Sequence, residues 1–367
     1  MGIETFWNGR RVFVTGNTGF KGSWLCLWLQ RLGAEVHTAA LAPASGSLYE
    51  TLAPWSSQRH NILDVRDGAA LARVLKEAKP EIVIHMAAQP LVRRSYADPV
   101  ETFSTNVMGT VNLLESVRRA GTVRTLVVVT SDKVYRNEGL GEPFAEEDTL
   151  GGEDPYSSSK ACAELVSACY RDSFLRNDDI AIATARAGNV IGGGDWSEGR
   201  LIPDFMRAIE AGEPVFLRYP EAVRPWQHVL EPLSGYLMLA EALDLRAPAI
   251  PEALNFGPDP KALATVAEVV GILGSTYGLS EAWKQMPGQH PPEATTLTLD
   301  SHLASASLGW KPRLSLSETL EWTAAWYKAR HDGADTRALM LAQIEAYEER
   351  APTRELVSAR ARMEMAG

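Results

Sequence analysis

Two residues four apart, Tyr156 and Lys160, stand near the start of a segment with helical pattern, so their side chains project from one face. A phenol can act as a base toward a hydroxyl only after losing its own proton, and its reference pKa is about 10. Lowering that by roughly 3 units takes about 4 kcal/mol of differential stabilisation, which an adjacent ammonium and a second positive charge can supply. Tyr-x-x-x-Lys is common on exposed helices, and here position gives it meaning. The preceding strand runs into Thr130-Ser131-Asp132-Lys133-Val134-Tyr135, which sets a hydroxyl, an acid and an amine at a sheet edge. A third constellation lies near the start of the chain, where an apolar strand runs directly into Gly16-Asn17-Thr18-Gly19-Phe20-Lys21-Gly22 and then an apolar helix. Glycines there allow a tight turn and let backbone N–H groups approach a pyrophosphate at a helix N-terminus. The spacing is one residue longer than the commonest dinucleotide fingerprint.

The elements that must position these groups alternate regularly. Short apolar runs at 12–15, 35–40, 61–64, 82–85, 125–130 and 180–186 read as strands, with helical patterns at 20–32, 68–78, 100–120 and 155–175 between them. This rhythm predicts an α/β fold: a Rossmann-type doubly wound parallel sheet carrying a smaller mixed α/β lobe. Residues 1–186 form the predicted dinucleotide-binding domain, with part of the later chain returning to it. Residues 187–334 form mainly a substrate-binding lobe over the carboxyl ends of the strands, where open α/β sheets bind ligands. Residues 335–367, charged and helix-prone without clear caps, read as a C-terminal helix and tail.

Composition narrows the function. The formal charge is −10 and no basic run carries interleaved aromatics, which argues against nucleic acid as a partner. No apolar stretch reaches the length of a membrane span. The first strand begins too early for a cleavable export signal, so a cytoplasmic location is expected. Cys26, Cys162 and Cys169 lack metal-ligand spacing and read as buried, reduced thiols; no metal is expected. The end of the second strand carries neither an acid for the ribose hydroxyls nor an arginine for a 2′-phosphate. Asp64, after the third strand, either touches the adenine end or caps the following turn. His85 reads as a core histidine, and His228 is left open.

The strand-end hydroxyl, Tyr156 and Lys160 together resemble the extended short-chain dehydrogenase/reductase family that works on nucleotide sugars. The resemblance continues through Thr18 to Leu25, Met86 to Val92, Arg186 to Trp196 and Arg224 to Val229. It implies NAD as cofactor, held by Gly16, Thr18, Gly19, Phe20, Lys21, Gly22, Asp64, Val65, Ala87, Ala88, Gln89, Asn106, Thr130, Tyr156 and Lys160. It implies that Ser131 hydrogen-bonds the reacting oxygen and that Tyr156 exchanges its proton. The acid and base that follow the hydroxyl resemble hexose 4,6-dehydratases, in which a ketone formed at carbon 4 acidifies carbon 5, water leaves from carbons 5 and 6, and the hydride returns to carbon 6. The Asp-Lys form is similar to the branch acting on CDP-glucose, whereas the dTDP-glucose branch commonly shows Asp-Glu. On this basis Asp132 is the acid and Lys133 the base, a role that requires the lysine pKa to be depressed toward neutrality.

By the same resemblance Asn189, Arg200, Arg218, Arg224 and Asn255 hold the sugar nucleotide, with Arg224 the first choice for the diphosphate because a guanidinium fork suits it. For Arg200 and Arg218 a rim salt bridge is an equal reading. The resemblance further implies a homodimer, or a dimer of dimers, through a four-helix bundle of the helices at 100–120 and 155–175. Three other functions remain on the table: a dTDP- or GDP-hexose dehydratase, a nucleotide-sugar 4-epimerase or reductase with no need of Asp132 and Lys133, and a cofactor sensor without chemistry.

Overall fold

The computed structural model describes residues 3–55, 58–139, 141–259, 263–288 and 297–351. Seven strands form one parallel sheet: β1 (Arg11–Thr15), β2 (Glu35–Ala40), β3 (Gln58–Ile62), β4 (Ile82–His85), β5 (Thr125–Val129), β6 (Ala181–Arg186) and β7 (Ala253–Asn255). Their order across the sheet is β7-β6-β5-β4-β1-β2-β3. Helices cover both faces, which is why β4 and β5 are buried at every residue and read as unbroken apolar runs. The chain builds outward from β1 to one side and then from β4 to the other, so the order reverses between these two strands and opens a crevice at their carboxyl ends.

Helix α1 (Phe20–Arg31) follows β1, and α2 (Gly68–Ala78) follows β3. Pro99–Phe103, a π-turn at Ser104–Met108 and Gly109–Ala120 run on as one long helix, α3. Pro155–Tyr170 likewise continues into a π-turn at Arg171–Leu175 to give α4. Asp154 caps α4 by accepting from Ser157 N at 3.0 Å, with Pro155 in the first turn where its missing N–H costs nothing. This cap fixes where Tyr156 and Lys160 emerge.

The third strand lies earlier than the sequence predicts. As an edge strand paired only with β2, it needs no apolar run, and Gln58–Ile62 is largely polar; the apolar Ile62-Leu63 drew the expected boundary toward 61–64. Beyond β6 the chain forms α5 (Leu201–Ala211), then α6 (Leu230–Asp244), which packs back on β5 and β6 before β7 extends the sheet. Pro232 and Gly235 hide α6 from a pattern reading. Proline is tolerated in a first turn, and a Cβ at Gly235 would stand 2.3 Å from the Phe256 ring, so glycine admits that close approach.

The last two helices are α7 (Leu316–His331) and α8 (Thr336–Glu349). Contrary to the expectation of no caps, Asp335 caps α8 by accepting from Ala338 N at 2.7 Å. Trp28 and Arg31 of α1 bond Glu348 at 2.7 and 3.0 Å and hold the helix down. The tail at 352–367 lies outside the described residues. Of the cysteines only Cys26 is buried; Cys162 is half-buried and Cys169 exposed, and all three are free. Among the described residues, no helix is long and apolar enough to cross a membrane, and no cluster of His, Cys, Asp and Glu is suited to a metal ion.

Candidate active site

A cleft of about 730 Å³ runs along the carboxyl rim, from the glycine loop to the smaller lobe. Its floor is set by how closely β1 and β4 can come together. Gly16 has φ +79°, and a Cβ on it would stand 2.7 Å from Ala87 N. A Cβ on Gly22 would stand 2.2 Å from Gly16 O, so the loop folds onto α1 only with glycine there. Gly19, the N-cap of α1, offers no side-chain cap, and the first-turn N–H groups remain turned to the cleft for an anion. The residues present therefore fit a dinucleotide with its pyrophosphate on α1.

Gly16, Thr18, Gly19, Phe20, Lys21, Gly22, Asp64, Val65, Ala87, Ala88, Gln89, Thr130, Tyr156 and Lys160 all line this cleft. Asn106 does not. It is buried in the π-turn of α3, accepting from Gln89 N at 2.8 Å and donating to Gln89 O and Ser159 Oγ at 3.1 and 2.8 Å. It thus shapes the wall through Gln89. Asp64 lines the cleft and also accepts from the backbone and guanidinium of Arg66 in the turn that follows β3. His85 sits between the hydroxyls of Thr15 and Thr110 at 2.7 and 3.2 Å; burial, helped by Lys160, pushes its pKa down to about 3 and keeps it neutral. His228 is buried between Trp24 and Trp322, away from the cleft lining.

The strand-end turn gathers the reactive groups. Ser131 donates to Asp132 Oδ1 at 2.9 Å and accepts from Lys133 N at 3.2 Å, while Lys133 Nζ lies 3.1 Å from Asp132 Oδ1. Asp132 is 1% exposed; a Cβ on Gly188 would stand 2.3 Å from its carboxylate, so this glycine makes room for it. The Tyr156 phenol lies close enough to Ser131 and Lys133 for both to lower its pKa, and Lys160 Nζ donates to Val129 O at 3.1 Å.

Electrostatics differ from the sequence expectation in two respects. Burial raises the Tyr156 pKa, and Ser131, Lys133 and Arg200 pull it down. Burial works to lower the Lys133 pKa, but Asp132 and Tyr156 together outweigh it, leaving the ammonium favoured rather than the neutral amine a base requires. The depressed lysines are others: burial brings Lys160 to about 8 against the opposing Glu164, and burial with Lys160 and Arg200 brings Lys21 to about 7. Lys21 donates to the Tyr236 hydroxyl at 2.9 Å.

On the lobe side, Asn189, Arg200, Arg218 and Arg224 line the cleft. Arg200 is held by Asp195 at 3.0 Å, so the salt bridge and the cleft position coexist. Arg224 donates to Val223 O at 2.9 Å. Asn255 is fully buried and outside the lining; its side chain accepts from Tyr135 and donates to Phe144 O, so the structure does not bring it to the cleft with Asn189 and the three arginines. The sequence reading missed Arg93, Asp195, Phe216 and Met286 on the walls. Only Asp195 carried a signal, lying within the run Arg186 to Trp196 on which the resemblance rests.

This fold and rim agree with a match of residues 12–257 to the model of the NAD dependent epimerase/dehydratase family. The chain belongs to that family. Among its epimerase/dehydratase relatives, the CDP-glucose 4,6-dehydratase of Salmonella typhimurium is 47% identical over 94% of this chain and 98% of the relative. A UDP-glucose-4-epimerase from Stenotrophomonas maltophila, solved with bound NAD and formylated UDP-arabinopyranose, superposes with a TM-score of 0.76 at 26% identity, over 89% of this chain and all of that one. The dTDP-glucose 4,6-dehydratase of Bacillus anthracis in complex with NAD shares the fold, with a TM-score of 0.75 at 23% identity over 88% and 98% of the two chains.

Proposed function

We propose that this epimerase/dehydratase converts CDP-D-glucose to CDP-4-keto-6-deoxy-D-glucose and water. The observation that carries the reading is the Asp132–Lys133 pair on the same turn as Ser131 and beside Tyr156. Oxidation and reduction at carbon 4 alone need only the hydroxyls and Lys160; a further acid–base couple is what an elimination demands. The 47% identity to a CDP-glucose 4,6-dehydratase supports the same reading.

NAD is the cofactor; held by the glycine loop at Gly16 to Gly22 and the start of α1, it would supply the hydride acceptor for carbon 4 and the hydride donor for carbon 6. Ser131 orients the 4-hydroxyl and Tyr156 receives its proton. Burial favours the protonated phenol; Tyr156 takes the 4-hydroxyl proton only as the phenolate, the form toward which Lys133, Arg200 and further positive charge in the cleft pull it. Lys133 Nζ lies 3.1 Å from Asp132 Oδ1, within reach for a proton to pass between them. Its passage from the ammonium to the carboxylate creates both required forms at once: a neutral amine to remove the carbon 5 proton and an acid to protonate the departing 6-hydroxyl. Arg200, Arg218 and Arg224, with Asn189, supply the charge and hydrogen bonds for the diphosphate and sugar.

In this reading residues 1–186, with the returning α6 and β7, bind the cofactor, and most of 187–334 binds the sugar nucleotide. The partner copy docks on α3 and α4. Val100, Phe103 and Met108 of α3 and Leu165 and Phe174 of α4 are all exposed apolar residues, Val100 at 77% and Leu165 at 58%, and pairing these helices with their copies in a four-helix bundle covers them. The free thiols suit a reducing cytoplasm.

Incubation with CDP-, dTDP- and GDP-glucose, scored by the alkaline absorbance of a 4-keto-6-deoxy product, tests the reading. Product from CDP-glucose without net NADH is expected. Preference for another base corrects the substrate, and a 4-epimer without keto product removes the dehydratase assignment.

A further inference from the structure

Behind the catalytic turn lies a buried ion pair that no step above uses. Glu164 stands one helical turn beyond Lys160 on α4, on the same face, and Arg186 ends β6; both side chains are 4% exposed. The carboxylate accepts from Arg186 Nε and Nη2 at 3.0 and 2.9 Å, from Thr184 Oγ1 at 2.6 Å and from the Thr130 hydroxyl. That fills the roughly four acceptor sites a carboxylate has. Arg186 turns Nη1 to the Tyr135 hydroxyl at 2.7 Å and to Glu146 O at 3.0 Å, and Tyr135 in turn donates to Asn255 Oδ1 at 2.7 Å.

Thr130 and Tyr135 flank the segment that carries Ser131, Asp132 and Lys133, so both ends of that segment hang from the two halves of one ion pair. The backbone repeats the tie on either side of Arg186: Thr130 N donates to Ala185 O at 2.9 Å and Asp132 N to Ala187 O at 3.3 Å. A buried ion pair often adds little stability over well-packed apolar side chains, so stability alone gives no reason to place one here.

We propose that Glu164 is a positioning residue for the reaction: with Arg186 it fixes the turn bearing Ser131, Asp132 and Lys133 against the helix bearing Tyr156 and Lys160, and it gives Lys160 its counter-charge. The charged and titratable groups around Lys160 support the second half. Lys21 from α1 repels it, His85 at the end of β4 is neutral, and Glu164 is the group that favours its ammonium form against burial. Because Lys160 titrates at about 8, loss of that carboxylate moves it toward the neutral amine at working pH.

This inference rests on the reading that Tyr156 and Lys160 carry the hydride step, which single-turnover NADH formation by Tyr156→Phe tests on its own. The test here compares kcat against pH for the unaltered enzyme and Glu164→Gln, with thermal melting as the check on folding. Expected are a fall in kcat of up to about 100-fold, as for misplaced catalytic groups, and an alkaline limb displaced to lower pH by about one unit. An alkaline limb that stays in place overturns the proposal whatever kcat does, because a purely structural carboxylate would leave it there. Should Glu164→Gln fail to fold, Glu164→Asp keeps the charge and shortens the reach. It is expected to retain the limb while losing about tenfold in kcat, and an unchanged kcat overturns the proposal.

Discussion

The two walls of the cleft are built on different principles. The cofactor wall is mostly backbone: glycines at 16 and 22 that leave no room for a Cβ, an uncapped helix start and the β4 exit at Ala87. The proposed sugar-nucleotide wall is mostly long side chains, Arg200, Arg218 and Arg224, carried on short strands and loops, with Arg200 already engaged by Asp195 and Arg224 by Val223 O. A wall of backbone is preorganised and can be spoiled only by filling space or moving a strand. A wall of arginines can exchange partners when a diphosphate arrives, and each contact can be removed singly. The catalytic turn lies where the two meet, on a strand end but reaching across with Lys133.

The sharpest way to break this comparison is at the junction. Tyr156→Phe is expected to slow single-turnover NADH formation by about 10²- to 10⁴-fold, measured with both ligands saturating; a near-normal first hydride step would remove the phenol from that role. Lys133→Ala is expected to slow carbon 4 oxidation much less, through the lost charge beside Tyr156, than it lowers release of the 4-keto-6-deoxy product, which falls by about 10²-fold or more. Unchanged product release would show that the amine is dispensable. On the backbone wall, Gly16→Ala combines a positive φ with a 2.7 Å approach to Ala87 N. It is expected to weaken NAD binding by at least about tenfold and to lower the melting temperature, with CDP-glucose binding less affected in calorimetry. On the side-chain wall, Arg224→Ala is expected to cost about 1.5–3 kcal/mol of CDP-glucose affinity, with NAD binding and melting temperature near those of the unaltered enzyme. Equal losses for both ligands would erase the division of labour. The smallest functional effect is expected for Asn255→Ala, which leaves the Tyr135 hydroxyl without its acceptor. It is expected to lower stability by about 1–3 kcal/mol while changing the KM for CDP-glucose little.

Much of the backbone wall was legible in the sequence because its signals are local. A glycine run between an apolar strand and an apolar helix, and a hydroxyl-acid-amine run closing another, depend on neighbours in the chain. Helix α6 was not legible, since Pro232 and Gly235 read as turn residues until Phe256, far along the chain, is seen to occupy the space over Gly235. Strand β7 has only three residues, and its place beside β6 is set by α6. Asn255 looked like a ligand for a sugar because nothing local shows the Tyr135 hydroxyl it receives from 120 residues earlier. The charge of Lys133 depends on the balance of burial against two anionic or ionisable neighbours, one adjacent in sequence and one 23 residues on; the adjacent pair alone could not reveal it. Glu164 was hidden for the same reason, its partners lying at the end of β5 and on β6.

Following a label through the reaction tests the central claim most directly. With CDP-D-glucose carrying deuterium at carbon 4, the account predicts that deuterium appears in the methyl group at carbon 6 of a 4-keto product, read by NMR and mass spectrometry. Deuterium retained at carbon 4, in a sugar that still holds its 6-hydroxyl, would contradict it.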